Sequence, residues 1–420
     1  MLSRIAMLSV HTSPLAAPGE RDTGGMNVFI RELCRQLGAK GIAVDIFTRL
    51  NNRTLPFEAK MAPNVNIIHI KAGPPEKIDK YEIPKYLDIF AKEVDRYRQR
   101  LNVSYDLIHT NYWLSGPVGV SLKKTWHLPL IHTYHTMGIL KNMVNPNLNS
   151  PNRLERIKVE KEILQHMDAV ITSNPHEKTF LSLTYGYSAD NVFIIPLGVD
   201  TALFRPMPSL HAKKYIGCSA KKIVLYVGRI DPVKGIEWLI RAFKEAADEI
   251  ENSRLLIVGG QYSHPASHEN NYLVYLKRLA SELALEQKVE FTGPKKQTAL
   301  PLYYSASEVC VIPSLYESFG MVALEAMACG TPVIASNTGG LATTVANSLT
   351  GFLVQPGDSQ ELSCRLKQIL SNKNLREKLG KQALAMVRKF NWHEAARSFI
   401  KVYNDTLTDR ALAQSEQTVC

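Results

Sequence analysis

No stretch of this 420-residue sequence carries the roughly 18 consecutive apolar residues that span a bilayer, so no transmembrane helix is expected. The apolar start, residues 5–10, is short and lacks a basic leading region and a small-residue cleavage site, so it reads as a strand rather than a secretion signal. Six cysteines, at 34, 218, 310, 329, 364 and 420, show no Cys-x-x-Cys spacing. That excludes the usual disulfide and zinc frameworks and fits buried thiols in a reducing cytoplasm. There is no Asp-x-Asp, no His/Asp cluster at metal-ligand spacing, and no Gly-x-Gly-x-x-Gly fingerprint. The net charge is +11, but the basic residues are spread along the chain without RNP, KH or zinc-finger signatures, so nucleic acid is not an expected partner. The excess is read as a solvated basic surface, part of which can focus a field on anionic substrates.

What is present is ordinary globular material, 45% hydrophobic and 21% charged, too long for one core and most simply two α/β domains of about 200 residues. Short apolar runs recur with helix-like segments between them. The first series is 5–10, 44–48, 65–70, 107–109, 130–133, 169–172 and 192–196; the second is 223–227, 255–258, 289–291, 309–313, 333–335 and 352–354. Most are rich in β-branched residues, lack strict alternation and lead into Gly, Ser, Asn or Pro. That is the pattern of strands buried on both faces of a parallel sheet. The fold expected is therefore α/β, two Rossmann-like parallel-sheet domains facing a cleft, with ligands beyond the carboxyl ends of the strands.

The boundary is placed near Pro196-Leu-Gly198-Val-Asp200, where Gly and Pro punctuate the chain. This gives domains at 1–200 and 201–385, a helix at 386–412 returning to the first domain, and a frayed tail at 413–420.

The segment Ser314-Leu-Tyr-Glu317-Ser318-Phe319-Gly320-Met321-Val322-Ala-Leu-Glu325 follows a strand-like run and leads through a Gly turn into a helix. Unpartnered N–H groups at such a helix start suit phosphate or sugar oxygens. Were both glutamates helical, eight residues at about 1.5 Å rise would part them by roughly 12 Å, too far for a glycosidase pair. Two carboxylates at opposite ends of one extended ligand is the better reading.

Arg229 directly follows a strand and Lys234 comes five residues later, two cations suited to a diphosphate. Asp22-Thr-Gly24-Gly25-Met26-Asn27 opens an amphipathic helix, and the Gly pair permits positive φ and close backbone approach. His135 ends another strand, where a histidine either hydrogen-bonds a sugar hydroxyl, acts as acid or base, or is structural. Arg153, Arg156 and Lys158 form a basic helix start, and Lys77, Lys80 and Lys85 a Pro-interrupted loop; clusters like these are usually solvated.

Together these motifs resemble family 4 of the retaining glycosyltransferases with the GT-B fold, whose E-x7-E signature matches Glu317 and Glu325. The likeness runs from about residue 4 to about 400. The first-domain motifs closely resemble the inositol-phosphate N-acetylglucosaminyltransferases of mycothiol synthesis, and sucrose-phosphate synthases share the Asp-Thr-Gly-Gly loop. The resemblance implies that Glu317 binds the transferred sugar, with Gly25 and the backbone of Ser318, Phe319, Gly320, Met321 and Val322 on its hydroxyls and the diphosphate. It implies Glu325 on the ribose, Lys295 near the base, and Arg229 and Lys234 on the diphosphate. By analogy Gly24, Met26, Asn27, Lys80, Tyr112, Thr136 and Arg156 bind a phosphorylated acceptor, and His135 contacts the donor sugar.

The expected reaction is metal-independent hexosyl transfer with retention, without a cofactor, from a UDP-sugar to a phosphorylated small molecule. Sucrose-phosphate synthesis from UDP-glucose and fructose 6-phosphate leads, because the chain is rich in Lys, Ile and Asn where the mycothiol group is rich in Ala and Arg. Transfer of N-acetylglucosamine to inositol 3-phosphate is the close competitor. A non-catalytic nucleotide-sugar-binding protein and a nicotinamide dehydrogenase are the readings from other classes; the joint presence of Glu317, Arg229 and Lys234 opposes the first, and the missing Gly fingerprint the second. Cytoplasmic location is expected, and a homo-oligomer is compatible with the pattern.

Overall fold

The strands that were legible as apolar runs assemble into two sheets. The computed structural model describes residues 2–16, 24–144, 151–260 and 269–419; Asp22 and Thr23 of the Gly-rich motif lie outside them. The chain divides into two units, the first holding Gly25–Pro196 with the N-terminal strand and Trp392 onward, the second Leu197–Asn391.

The first unit is built on β1 (Arg4–Leu8), β2 (Ala43–Arg49), β3 (Glu58–Ala62), β4 (Val65–Ile70), β5 (Leu107–Asn111), β6 (Leu130–Thr133), β7 (Ala169–Thr172) and β8 (Val192–Ile194). Their order across the sheet is β3-β4-β2-β1-β5-β6-β7-β8. All neighbours pair in parallel except β3, which runs antiparallel to β4. Strands β5, β6 and β7 are buried at every residue, because helices cover both faces of such a sheet. β3 was not legible: Glu-Ala-Lys-Met-Ala has no β-branched residue and is exposed or half-exposed throughout, as suits an edge strand.

The second unit carries β9 (Lys222–Val227), β10 (Ser253–Val258), β11 (Val289–Gly293), β12 (Val309–Ile312), β13 (Val333–Ser336) and β14 (Gly351–Val354). The order is β11-β10-β9-β12-β13-β14, all parallel. Its core joins Val224, Leu255, Val311 and Ile334 of the sheet to Phe243 and Leu366 of flanking helices. Burying a side chain such as Phe243 contributes about 1.5–3 kcal/mol.

Each sheet has a place where the chain reverses its direction of travel, between β1 and β5 in the first and between β9 and β12 in the second. In open α/β sheets such a switch point is where ligands bind, beyond the carboxyl ends of the strands.

The C-terminal helix differs from its expected bounds. The apolar pattern from 386 is broken: one helix ends at Val387, and another runs Trp392–Val419. Phe390 sits in the turn between them with its ring 6.4 Å from Phe319 of the second unit. Trp392 and Phe399 instead pack on Phe29, at 6.3 and 5.6 Å, and Tyr403 hydroxyl meets His109 Nδ1 at 2.8 Å, all within the first unit. The expected fraying from 413 is also not seen in the backbone, which stays helical to Val419; Ala, Gln and Glu there are good helix formers and no Gly or Pro intervenes.

Candidate active site

In the second unit the loops after β9 and β12 are tied together. Tyr226 hydroxyl donates to Arg229 O at 2.7 Å, Asp231 caps the turn by accepting from Val233 N at 3.0 Å, and Leu315 N reaches Val233 O at 2.8 Å. Gly235 has φ +65°, and a Cβ there would lie 2.0 Å from Pro313 O, so only glycine permits this approach. The loops deliver Lys234 Nζ to Glu317 Oε2 at 2.5 Å, with side chains 19% and 22% exposed.

The back of the Glu317 loop is gripped by 338–344. Gly340 N donates to Glu317 O at 2.9 Å and Thr344 hydroxyl to Phe319 O at 2.9 Å. A Cβ on Gly339 would stand 2.1 Å from Glu317 O. The helix begins only at Met321, with Gly320 at φ +82° before it, so Glu317 lies on the loop and the helical spacing used to separate the two glutamates does not apply. Ser318 is buried, its hydroxyl donating to Tyr316 OH at 3.3 Å. The Phe319 ring packs against that of Phe390. Met321 and Val322 form the half-buried first turn.

Glu325 is 7% exposed and accepts from the fully buried Tyr304 hydroxyl at 2.8 Å. Lys295, following β11, stands over the ring of the adjacent Tyr303 at 5.9 Å. Lys295 and Glu325 are thus linked through the Tyr303-Tyr304 pair, which sequence reading missed because a Tyr-Tyr dipeptide in a short helix carries no distinguishing signal.

The first unit gathers a second group at its own switch point. Asn27 Nδ2 donates to Thr12 Oγ1 at 2.8 Å and Ser13 O at 2.7 Å, which fixes the loop after β1. The ring of His11 lies 4.5 Å from that of Tyr112. Tyr112 and His135 both have positive φ, 70° and 60°, an uncommon conformation for bulky residues that clusters at functional sites.

Arg156 is central to this group. Its Nε bonds Glu160 Oε1 at 2.6 Å, Nη1 bonds Tyr112 hydroxyl at 3.1 Å, and Nη2 bonds Thr136 O at 2.5 Å and Thr136 Oγ1 at 3.2 Å. Gly138 N donates to both oxygens of Glu160 at 2.8 and 3.1 Å. Burial opposes the charge on Arg156, but Glu160 and Tyr112 outweigh it and raise its pKa. Burial likewise raises the pKa of Glu160 against the pull of Arg156, and the donors around it are those of a carboxylate.

Arg156 therefore departs from the solvated cluster expected at this helix start: it is 3% exposed, while Arg153 is half-exposed and Lys158 pairs at 3.9 Å with Glu162 at the surface. Sequence reading missed Glu160, whose i, i+4 spacing from Arg156 is the signal that could have marked it. Lys80 lies 5.7 Å from the Tyr81 ring, itself 6.3 Å from that of Trp113.

His135 Nε2 meets Asn111 Oδ1 at 2.8 Å. Asn111 Nδ2 donates to Leu8 O, so its Oδ1 is the acceptor and Nε2 carries the proton. Burial, then His109, His132 and His11, hold the His135 pKa well below the ordinary imidazole value. His135 is accordingly neutral and offers hydrogen bonds rather than charge.

Gly25 opens the helix Gly25–Ala39, with Met26 half-buried beside it. Neither Gly24 nor Gly25 is among the positive-φ glycines of the described residues, and a Cβ on Gly24 would meet nothing within 4 Å. Among the described residues no three His, Cys, Asp or Glu are grouped to hold a metal, and no helix is long and apolar enough to cross a membrane.

Residues 23–203 match the family described as Glycosyltransferase Family 4, and residues 213–386 that described as Glycosyl transferases group 1. A D-inositol 3-phosphate glycosyltransferase of Acidothermus cellulolyticus is 36% identical over 99% of this chain and 93% of its own. The chain belongs to the family 4 glycosyltransferases of GT-B fold. D-inositol 3-phosphate glycosyltransferase 2 of Catenulispora acidiphila is 38% identical to this glycosyltransferase over 98% of this chain and 97% of its own. Among solved structures, sucrose-phosphate synthase from Thermosynechococcus elongatus superposes with a TM-score of 0.88 at 37% identity, covering 97% of this chain and 100% of that one.

Proposed function

We propose that this glycosyltransferase moves a hexosyl group from a UDP-sugar to a phosphorylated small molecule, with retention of anomeric configuration. The observation that carries the reading is the Arg156 group: a permanently charged guanidinium held with Tyr112 and Thr136 beside two residues of positive φ. A planar, oriented guanidinium is suited to phosphate, and Lys80 adds a flexible cation to the same acceptor. Gly24, Met26 and Asn27 line the sugar or ring portion.

On the donor side Glu317 takes sugar hydroxyls, Glu325 the ribose, and Lys295 the region of the base. Arg229 and Lys234, with N–H groups at the start of the helix after Gly320, neutralise the departing diphosphate without a metal or cofactor, an electrostatic effect that strengthens where water is excluded. Neutral His135 hydrogen-bonds a sugar hydroxyl. The acceptor hydroxyl attacks the anomeric carbon on the face from which UDP leaves, and a donor phosphate oxygen takes its proton.

The leading substrates are UDP-glucose and fructose 6-phosphate, supported by the likeness to sucrose-phosphate synthase along the full length of that chain. A second reading, UDP-N-acetylglucosamine and inositol 3-phosphate, is favoured by the curated relatives. Crossing both donors with both acceptors in a UDP-release assay, with the anomeric configuration of the product read by NMR, separates them. No turnover with fructose 6-phosphate ends the first reading, and an inverted product ends retention. Stoichiometric UDP-sugar binding without turnover would instead mark a binding protein.

A further inference from the structure

We propose that Tyr304 is a positioning residue for the nucleotide ribose: its hydroxyl fixes the Glu325 carboxylate in the orientation that accepts the ribose 2′-hydroxyl, and so makes the site select ribonucleotides over 2′-deoxyribonucleotides. The inference rests on the reading of Glu325 as the ribose group.

A glutamate carboxylate rotates broadly about its last torsion, so a side chain meant to accept two neighbouring hydroxyls needs that rotation stopped. Tyr304 Oη holds Glu325 Oε2 at 2.8 Å. Tyr304 is itself immobilised: it is fully buried, its ring lies 6.1 Å from that of Phe204, and its carbonyl accepts from Thr331 hydroxyl at 2.7 Å. The two partners belong to different helices, Leu300–Ala306 and Met321–Ala328, so the bond also fixes where the carboxylate stands relative to the Lys295 side of the unit. Burial and the nearby Glu325 raise the Tyr304 pKa far above its ordinary value, which keeps the phenol a neutral donor at all working pH.

A Tyr hydroxyl that merely satisfied itself in the core would be met as well by a backbone carbonyl. Here it is spent on a carboxylate that is 7% exposed, and a nearly buried carboxylate is costly to keep unless hydrogen-bonded.

The test compares UDP with 2′-deoxyuridine 5′-diphosphate by calorimetry on the wild-type protein, Tyr304→Phe and Glu325→Gln. Loss of one hydrogen bond to a charged group corresponds to about tenfold or more in affinity, so the wild type is expected to prefer UDP by about that ratio. Tyr304→Phe should cut the ratio to about threefold or less, and the ratio is insensitive to any loss of folded material. Adding Tyr304→Phe to Glu325→Gln should change it no further, the signature of two groups acting as one.

A wild type without ribose preference, or a Glu325→Gln protein that keeps it, overturns the ribose reading and the inference with it. Loss of preference in Glu325→Gln but an unchanged ratio in Tyr304→Phe overturns the inference alone.

Discussion

Lys234 and Glu317 stand 83 positions apart in sequence on the loops after β9 and β12, and their Nζ and Oε2 atoms meet at 2.5 Å. In this contact each neutralises the other. A diphosphate is expected to draw Lys234 away and release Glu317 to accept sugar hydroxyls. If Lys234 stabilises charge developing on the leaving group, Lys234→Met lowers kcat by a factor on the order of 10² to 10³ while the melting temperature hardly moves. Unchanged turnover would sink that role.

Arg156 should separate acceptor binding from donor binding. Arg156→Lys keeps a cation but loses the planar fork, so KM for the phosphorylated acceptor should rise about tenfold or more, with KM for the UDP-sugar unaltered. A matched rise in both would show that the residue shapes the protein generally rather than holding the phosphate. Removing its partner is a stability experiment: Glu160→Ala leaves a buried guanidinium unpaired, which costs about 3–5 kcal/mol in denaturant unfolding.

Gly339 is expected to control the Glu317 loop without touching substrate. Its Cβ would fall 2.1 Å from Glu317 O at φ +48°, so Gly339→Ala must shift the carbonyl or the loop. Strain of this kind costs about 1–3 kcal/mol. Steady-state kinetics should show turnover reduced more than UDP affinity; a variant with wild-type kcat would mean the loop position is not critical.

The buried histidines predict an acid limit. Burial lowers His109 from 6.5 to about 3, and burial with the neighbouring His109 lowers His132 likewise. Thr110 hydroxyl donates to Ile131 O, so His132 donates Nδ1–H to Thr110 Oγ1 at 2.7 Å and stays neutral. The unfolded chain binds protons that the folded one refuses. Stability is therefore full above the ordinary imidazole value and is lost as pH falls from there toward 3, by about 1.4 kcal/mol per pH unit for each group. Urea unfolding between about pH 6 and 4.5 should show this slope, and His132→Leu should remove one group's share. An identical slope in the variant would mean that His132 is protonated in the folded protein.

Much of the fold is legible in the sequence, because parallel strands buried on both faces leave runs such as Val-Cys-Val-Ile and Ile-Val-Leu-Tyr-Val. The placement of Arg229, Lys234 and Glu317 was legible for a related reason: each follows such a run, and the strand end fixes its place on the loops after β9 and β12. Contacts made across the sequence left less trace. Nothing local marks Tyr304 as the partner of Glu325, Gly339 as the support of Glu317, or Asn111 as the acceptor for His135. Arg156 was set apart from its solvated neighbours only by the resemblance and not by local pattern, because burial of one cation among three is decided by Glu160, Gly138 and Tyr112, which lie on other turns and loops. The C-terminal pattern misled because apolar spacing continues across the turn at Phe390, although residues before and after it pack on different units.

If the Arg156 group reads a phosphate on the acceptor, removing that phosphate should cost most of the rate. The direct measurement is UDP release from UDP-glucose and UDP-N-acetylglucosamine with fructose 6-phosphate, inositol 3-phosphate and their unphosphorylated parents. One donor is predicted to turn over with one phosphorylated acceptor at a kcat/KM about 100-fold or more above its unphosphorylated parent, the effect expected of paired charge-assisted hydrogen bonds. Equal rates with and without the phosphate would contradict it.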